Sequence, residues 1–498
     1  MRKIFLISTL LLGSMAYAQD PGDVIRLSQT YNNGTARFVS MGGAFGALGA
    51  DFTSLSYNPA GLGVYRSSEF TITPSLKIRN DNTNYLTSSF TDKRTRVLLD
   101  NIGFVTSMQT TSENENGLVM LNFGIGYNRI LDLYSETSAI GANASNSIMD
   151  YFAWAANGSV YDGMTIRDNN DPFKVSNAPW DAILAWNNFL IDTIPGEASE
   201  YWAALNENDG VNQDQSISMT GGVGEYVFSM AANISNKFYL GTTFGLQDVF
   251  FSQNTYYSES AFSTNQTIPN GDRFNSMNYN QRLTVNGYGI NLKIGAIFRP
   301  IPELRLGVSA HTPTYYKLNE DYDASMNSNF LLGTTSANTP LNSYGYRIES
   351  PYKLIGSVAY SFGLKGLLSV DYEHVDYSTM RFGKGDDGYR FTDENSTISE
   401  SFKSTFNIKA GGEIWFDRLA LRAGYALYGS PYNPDTDYAS SSTNVFSGGF
   451  GLRFDSMFLD WAYQRIMLSD KYSPYQFAPI VNRDVVQNRF MLTIGFKF

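Results

Sequence analysis

The 498-residue sequence contains no cysteine and only two histidines, His311 and His374. Without thiols there is no disulfide framework and no cysteine to carry a lipid anchor. Two isolated imidazoles exclude a His-rich metal site and leave triad hydrolysis to rest on one or other of them. Charge is scarce as well. Only 17% of residues are charged, and 47 acidic against 36 basic side chains give a net charge of −11. That balance argues against nucleic acid as a partner and against a polybasic attachment to anionic lipid. Long apolar runs are also missing: beyond the N-terminal segment no stretch approaches the roughly 18 consecutive apolar residues of a membrane-spanning helix.

Aromatic residues fill the space that charge leaves. Tyr (33) and Phe (34) bring the aromatic share to 15%, and there are 44 glycines. Exported soluble enzymes seldom have this composition, whereas a membrane barrel needs apolar side chains toward lipid, aromatic girdles at its interfaces, and glycine where strands bend or pack closely. Residues 1–18 read as a signal peptide, with Arg2 and Lys3, an apolar run over 4–12, and the small-x-small site Ala16-Tyr17-Ala18. The mature chain is then expected to begin at Gln19.

From residue 67 the dominant period is two, the signature of strands. It is clearest at the end, where Phe490, Leu492, Ile494, Phe496 and Phe498 alternate with Met491, Thr493, Gly495 and Lys497. A final alternating strand with a terminal Phe resembles the recognition signal of bacterial outer-membrane barrels. Marking every such run predicts fourteen strands: 67–80, 101–111, 118–134, 214–232, 238–256, 278–298, 304–318, 346–362, 367–382, 398–415, 419–431, 442–454, 457–469 and 483–498. The connections alternate in length. Those at 113–117, 233–237, 300–303, 363–366, 416–418 and 455–456 are tight, and those between them are long and polar, as in a barrel with short periplasmic turns and long outer loops. A soluble sandwich or propeller does not explain apolar faces on strands this long. Both mature termini are expected on the periplasmic side.

The longest connection, 135–213, changes period and predicts helices. Ser147 with Asp150 forms a capping pair before the run 151–156, Pro179-Trp180 opens a second helix, and 197–205 a third. Together they predict an apolar-faced cap over the barrel mouth and a groove where an apolar ligand first lands. Gly43, Gly46 and Gly49 lack the βαβ setting and the Lys-Ser/Thr of a nucleotide loop. Asp386, Asp387, Asp393, Asp435 and Asp437 in outer loops read as solvated charges, or as bridges to divalent cations and lipopolysaccharide. Strand alternation turns Lys77, Lys293, Arg305, Lys353, Lys403, Lys409, Arg422, Asp371, Glu373, Glu413 and Asp460 toward the lumen. Most should form barrel–hatch or cross-strand ion pairs, leaving one or two cations for an anionic ligand. The candidates are Lys293, Lys353, Lys409 and Arg422.

Between leader and strands, residues 42–65 form a turn-rich segment centred on Asn58-Pro59-Ala60-Gly61. Pro59 fixes its own φ and holds Asn58 extended, while Gly61 and Gly63 permit geometries that a Cβ would forbid. A leader, this small-residue segment with Asp51 and Asn58-Pro59-Ala60-Gly61-Leu62, and fourteen strands resemble the FadL-type long-chain fatty acid transporter family, which includes the TodX-like aromatic hydrocarbon channels. The resemblance implies a transmembrane β-barrel (67–498) with an N-terminal hatch (19–66) inside it and the NPA motif toward the periplasm. It also implies passive entry of hydrophobic ligands from outside and lateral exit beside a kinked third strand. Gly124 and Gly126 are the kink candidates. The chain departs from that pattern in placing its largest insertion after strand three. The expected protein is a monomeric outer-membrane channel, not an enzyme, with no cofactor. Its expected partners are a long-chain fatty acid or another hydrophobic ligand, outer-membrane lipid and lipopolysaccharide, and the barrel assembly machinery. A haem-binding receptor, a partner in protein secretion and a lipid-modifying enzyme stand as alternatives.

Overall fold

The computed structural model describes residues 21–110, 117–168, 171–205, 209–263, 273–434 and 442–498. The leader, most of the 113–117 turn, and Asp435 and Asp437 lie outside these. Fourteen strands form one closed antiparallel barrel. They are β1 Glu69–Tyr85, β2 Ser88–Gln109, β3 Leu118–Asp132, β4 Val211–Ile234, β5 Phe238–Ala261 and β6 Phe274–Phe298. Then follow β7 (Leu304–His311 and Tyr315–Phe330), β8 (Asn342–Glu349 and Lys353–Ser361), β9 Gly366–Asp376, β10 Ser404–Phe416, β11 Leu419–Tyr428, β12 Thr443–Arg453, β13 Met457–Tyr472 and β14 Val481–Lys497. Closure is by β1 against β14, from Glu69 opposite Lys497 to Asn84 opposite Asn482. Ser68 and Phe498 exchange both backbone bonds at 3.1 Å, and the Phe498 ring stacks on Phe104. No described helix is long and apolar enough to cross a membrane. The strands span it, because closure leaves no unpaired edge in lipid.

Several expected boundaries move. Residues 81–100 do not form a polar loop: β1 and β2 continue to a two-residue turn with Leu86 at φ 51°. Both faces are wet at that height, so the alternation that reveals a strand disappears. The run 398–401 belongs to a helix, Thr392–Ser401, whose Ile398 is buried in the upper lumen. In the insertion, Ser135–Ala144 pairs with β4, and Tyr201–Ala203 pairs with Ile191–Thr193 in place of a third helix, because Gly196 at φ 92° reverses the chain.

Inside the barrel the chain runs as helix α1 (Pro21–Ser28), α2 (Ala36–Ser40), and two 3-10 turns, Phe52–Ser56 and Pro59–Val64. Helix α1 packs Val24, Ile25 and Leu27 against Val249, Phe251, Leu318 and Tyr346, well up the strands toward the long-loop end. The first described residues therefore lie in the upper lumen, and the expected mature N terminus, Gln19, lies outside the described residues. From there the chain descends to Tyr65. Helices α3 (Ile148–Ala156) and α4 (Trp180–Asn187) of the insertion pack on the upper parts of β5, β6 and β7 through Tyr257, Met277 and Met326. The Ser147–Asp150 capping box is formed in both directions. The apolar faces of these helices are consumed in that cluster.

Candidate functional site

The residues of the NPA segment act as one joint. Asn58 is extended, at φ −131° and ψ 102°, as the residue before a proline must be, and it is almost fully buried. Its Oδ1 accepts from Ala60 N (3.1 Å), capping the turn that Pro59 opens. Its Nδ2 donates to Gly46 O at 2.5 Å, with Ala296 O of β6 and Val308 O of β7 at 3.5 and 3.4 Å. Ala60 is buried, and Gly61 lies so close to Gly49 that a Cβ there would stand 2.9 Å from its Cα. Ala50 N donates to Gly61 O at 3.0 Å and ties the two turns together.

Glycines of the wall make seats for this joint. A Cβ on Gly241 would meet Pro59 O at 2.3 Å, one on Gly295 would meet Asn58 Oδ1 at 1.9 Å, and one on Gly307 would meet Gly46 O at 2.2 Å. Gly124 and Gly126 belong to the same set: their missing side chains admit Leu55 and Phe52. The kink that the sequence suggests at these two glycines carries no shift of register. Through them β3 stays paired on both sides, Gly124 with Val105 and Ser229, Gly126 with Gly103 and Val227. Its irregularities fall between Leu118 and Met120 and between Arg129 and Leu131. The β2–β3 ladder ends at Asn101 and Asn128. Above it side chains reach across from β2, Arg96 to Asp132 of β3 at 3.3 Å and Arg94 to Glu136 of the Ser135–Ala144 stretch.

Polar side chains of the wall hold the descending hatch. Asn122 donates to Leu62 O (2.7 Å), Thr243 to Leu55 O (2.8 Å) and Asn128 to Ser56 Oγ (2.8 Å). Three of the four candidate cations are engaged. Lys293 binds both oxygens of Glu225 at 2.6 Å, and Lys409 binds Glu373 and the Tyr57 hydroxyl at 3.0 Å. Arg422 joins Glu413 to Asp460, in a network completed by Arg37 of the hatch and Arg453. Burial explains this, since an unpaired charge in such surroundings would be too costly to keep. Lys353 differs: it donates to Thr30 Oγ1 of the hatch (2.8 Å) and makes no salt bridge among the described residues. It borders a cavity of about 120 Å³ that is also lined by Lys293, His311, Glu225, Glu373 and Lys409.

In the hatch, burial pushes the Asp51 carboxyl above the usual carboxylate range, while Arg37, Thr35 and Thr53 pull it back. Asp51 accepts from Thr35 Oγ1 at 2.7 Å and from Thr53 N at 2.9 Å.

Two further features carry sequence signals that a search for strands passes over. Pro313 and Pro351 lie within runs marked as continuous strand, yet proline is confined to edges, first positions and bulges in sheets. They fall side by side and divide β7 and β8 into their two pieces. His311 contacts Tyr57 O through Nε2 at 2.7 Å, whereas His374 stands on the outward face of β9.

A fourteen-stranded membrane barrel closed by an N-terminal hatch is the class that this architecture defines. Among solved structures the chain is similar to a FadL homologue of Pseudomonas aeruginosa, with TM-score 0.56 and 13% identity over 95% of this chain and all of that one. It is also similar to the toluene transporter TodX of Pseudomonas putida, with TM-score 0.51 and 11% identity over 95% of this chain and all of the other. The fold is that of the FadL/TodX-type barrels. No protein-family model and no curated sequence matches.

Proposed function

We propose that the chain is an outer-membrane channel for the passive uptake of hydrophobic small molecules, with long-chain fatty acids the first candidates. The observation that carries this reading is a lipid-spanning barrel whose hatch leaves, beside a lumenal cavity, one lysine that bonds to a hatch hydroxyl and makes no salt bridge among the described residues, Lys353. A fatty acid would offer Lys353 its carboxylate. The relatives in fold include a toluene transporter and a FadL homologue, which supports apolar cargo. A haem receptor is disfavoured by geometry, because His311 faces the lumen and His374 faces lipid, on opposite sides of the wall.

The test is uptake of radiolabelled oleate and toluene by cells lacking their own transporters, beside a small hydrophilic solute. Lys353→Ala should lower oleate uptake and leave toluene unchanged. If the wild-type protein carries neither compound, the reading fails and a role as a partner in secretion gains.

A further inference from the structure

Three neighbouring strands are interrupted at one height. Strand β7 breaks at 312–314, β8 at 350–352, and β9 ends at Asp376, after which Arg381 and Phe382 resume pairing with Glu349 and Ile348. The two prolines, Pro313 and Pro351, face each other in this seam, between the pairs His311–Lys353 and Tyr315–Glu349. Neither has an N–H to give to the ladder. In lipid a missing backbone partner costs several kcal/mol unless another group replaces it. Side chains do so here. Thr314 N donates to Ser350 Oγ (2.8 Å), Ser350 N to Thr314 O (3.1 Å), and Leu292 N of β6 to Thr312 Oγ1 (3.0 Å).

The two faces of this piece of wall are hollow. On the lumenal side His311, Thr314, Ser350 and Lys353 border the 120 Å³ cavity. On the lipid side a groove of about 960 Å³ runs across β3 to β9 just below the seam, bordered at its seam end by Leu354, Gly356, Tyr372 and His374. Its floor is small side chains, Ala232, Thr242, Ala296 and Ala310, and behind them lie the glycine seats Gly241 and Gly295. The wall between hatch and groove is one backbone thick. Thr312 borders the cavity and is itself exposed on the outside. The hatch grips both lips of the seam: Tyr57 O accepts from Ser309 Oγ (3.0 Å) and meets His311 Nε2, while Thr30 accepts from Lys353.

We propose that the β7–β8 seam is the lateral exit: the apolar ligand passes between the proline-broken strands into the groove, and from there into the surrounding bilayer. The inference rests on the transport reading above. Opening at this height separates the two contacts that join Thr314 to Ser350, whereas an intact stretch of equal length would lose a continuous ladder. Strand β3, by contrast, is sealed on both sides at Gly124 and Gly126. The groove takes one acyl-like or aromatic apolar group, and Lys353 holds an anionic head at the inner lip.

The absence of native cysteine makes a staple experiment clean. Thr314→Cys with Ser350→Cys should form a disulfide that abolishes oleate uptake in proteoliposomes, with recovery on reduction. Thr106→Cys with Phe123→Cys, a pair on the outward face of the β2–β3 ladder, should leave uptake unchanged. The reverse pattern would overturn the proposal. Gly356→Phe is the second variant: no atom lies within 4 Å of a Cβ built there, so the barrel should form normally with its groove filled. Oleate uptake should then fall, and unaltered uptake would count against the exit.

A direct readout does not depend on transport. A diazirine-bearing palmitate added to wild-type protein in phospholipid vesicles should label peptides spanning 306–315 and 352–374, and Gly356→Phe should suppress that labelling. Even labelling around the barrel, or equal labelling by a diazirine-bearing phospholipid, would show a surface that ordinary bilayer lipid covers and would refute the proposal. If wild-type protein labels in the groove but moves no oleate, the groove stands as a ligand site and the uptake reading is what fails.

Discussion

Replacing Asn58 separates the hatch's stability from the barrel's. In Asn58→Ala the cap on Ala60 N is lost, which costs about 1 kcal/mol. The carbonyl of Gly46 also loses its short bond to Nδ2, and a buried acceptor left unsatisfied costs about 1–3 kcal/mol. The sum is roughly 2–4 kcal/mol, all of it within the hatch, because no ladder bond involves this side chain. At about 1.4 kcal/mol per factor of ten, the open hatch becomes some 30-fold to several hundred-fold more populated. Hydrogen exchange of peptides covering 46–64 should accelerate accordingly, while heat-modifiability of the barrel stays at the wild-type value. Asn58→Asp sharpens the test. Aspartate caps as well as asparagine but turns an oxygen toward the carbonyls of Gly46, Ala296 and Val308, so exchange should exceed that of the alanine variant. If aspartate protects better than alanine, the cap matters more than the seat and the reasoning is wrong. A barrel that loses heat-modifiability in Asn58→Ala would refute the separation altogether.

Two further substitutions test the assignments of charge. Arg422→Met breaks a fully buried bridge, for which about 3–5 kcal/mol is usual, and falls at the low end because Glu413 keeps Arg37 and Asp460 keeps Arg453. The midpoint of heat-modifiability should drop with oleate uptake retained, and lost uptake in a barrel of unchanged midpoint would return Arg422 to the list of ligand partners. Asp51→Asn keeps the acceptor for Thr53 N and removes the charge. Because burial raises the Asp51 proton affinity in the folded state, its contribution favours the hatch at low pH and declines as pH rises above the ordinary carboxylate range toward the raised value. Limited proteolysis of the hatch across acidic to neutral pH should show that decline in the wild type and a flatter profile in Asp51→Asn; parallel profiles would exclude Asp51 as its source.

How much of this was legible depends on what alternates along the chain. Lipid on one side and polar lumen on the other impose period two, so the membrane-spanning stretches and the tight turns can be read directly, including Ser235 and Asn236, both left-handed in the β4–β5 turn. Where both sides are wet the signal vanishes, and residues 81–100 look like loop although they are strand. Which charge pairs with which is not written locally: Lys293 finds Glu225, 68 positions away, through the closure of β4, β5 and β6. The glycines pose a different problem. Gly124 and Gly126 read as kink candidates on sequence alone, and their use as seats emerges only with the arrival of Phe52 and Leu55 from a distant segment. Pro313 and Pro351 were readable as breaks, but two strands had to be aligned before they formed a seam.

If the barrel is a channel, the same contacts limit how it can work. Expelling the hatch whole would strip the carbonyls of Leu55 and Leu62 of their wall donors, separate Arg37 from Glu413, and leave Glu413 and Arg422 facing an emptied lumen. Each such loss costs on the order of 1–3 kcal/mol, and together they rival the whole stability of a typical domain. Local movement is far cheaper. The stretch from Thr30 to Asn33, between the apolar α1 above and the Asn58 joint below, borders the cavity and is tied to the wall by Thr30 with Lys353, Asn32 with Tyr428 and Gln464, and Asn33 with Arg489. On the proposed uptake reading, a ligand carboxylate that took Lys353 from Thr30 would release one lip of the seam without disturbing Asn58. Entry of an anionic ligand and loosening of the wall would, on that reading, be coupled at a single lysine, Lys353.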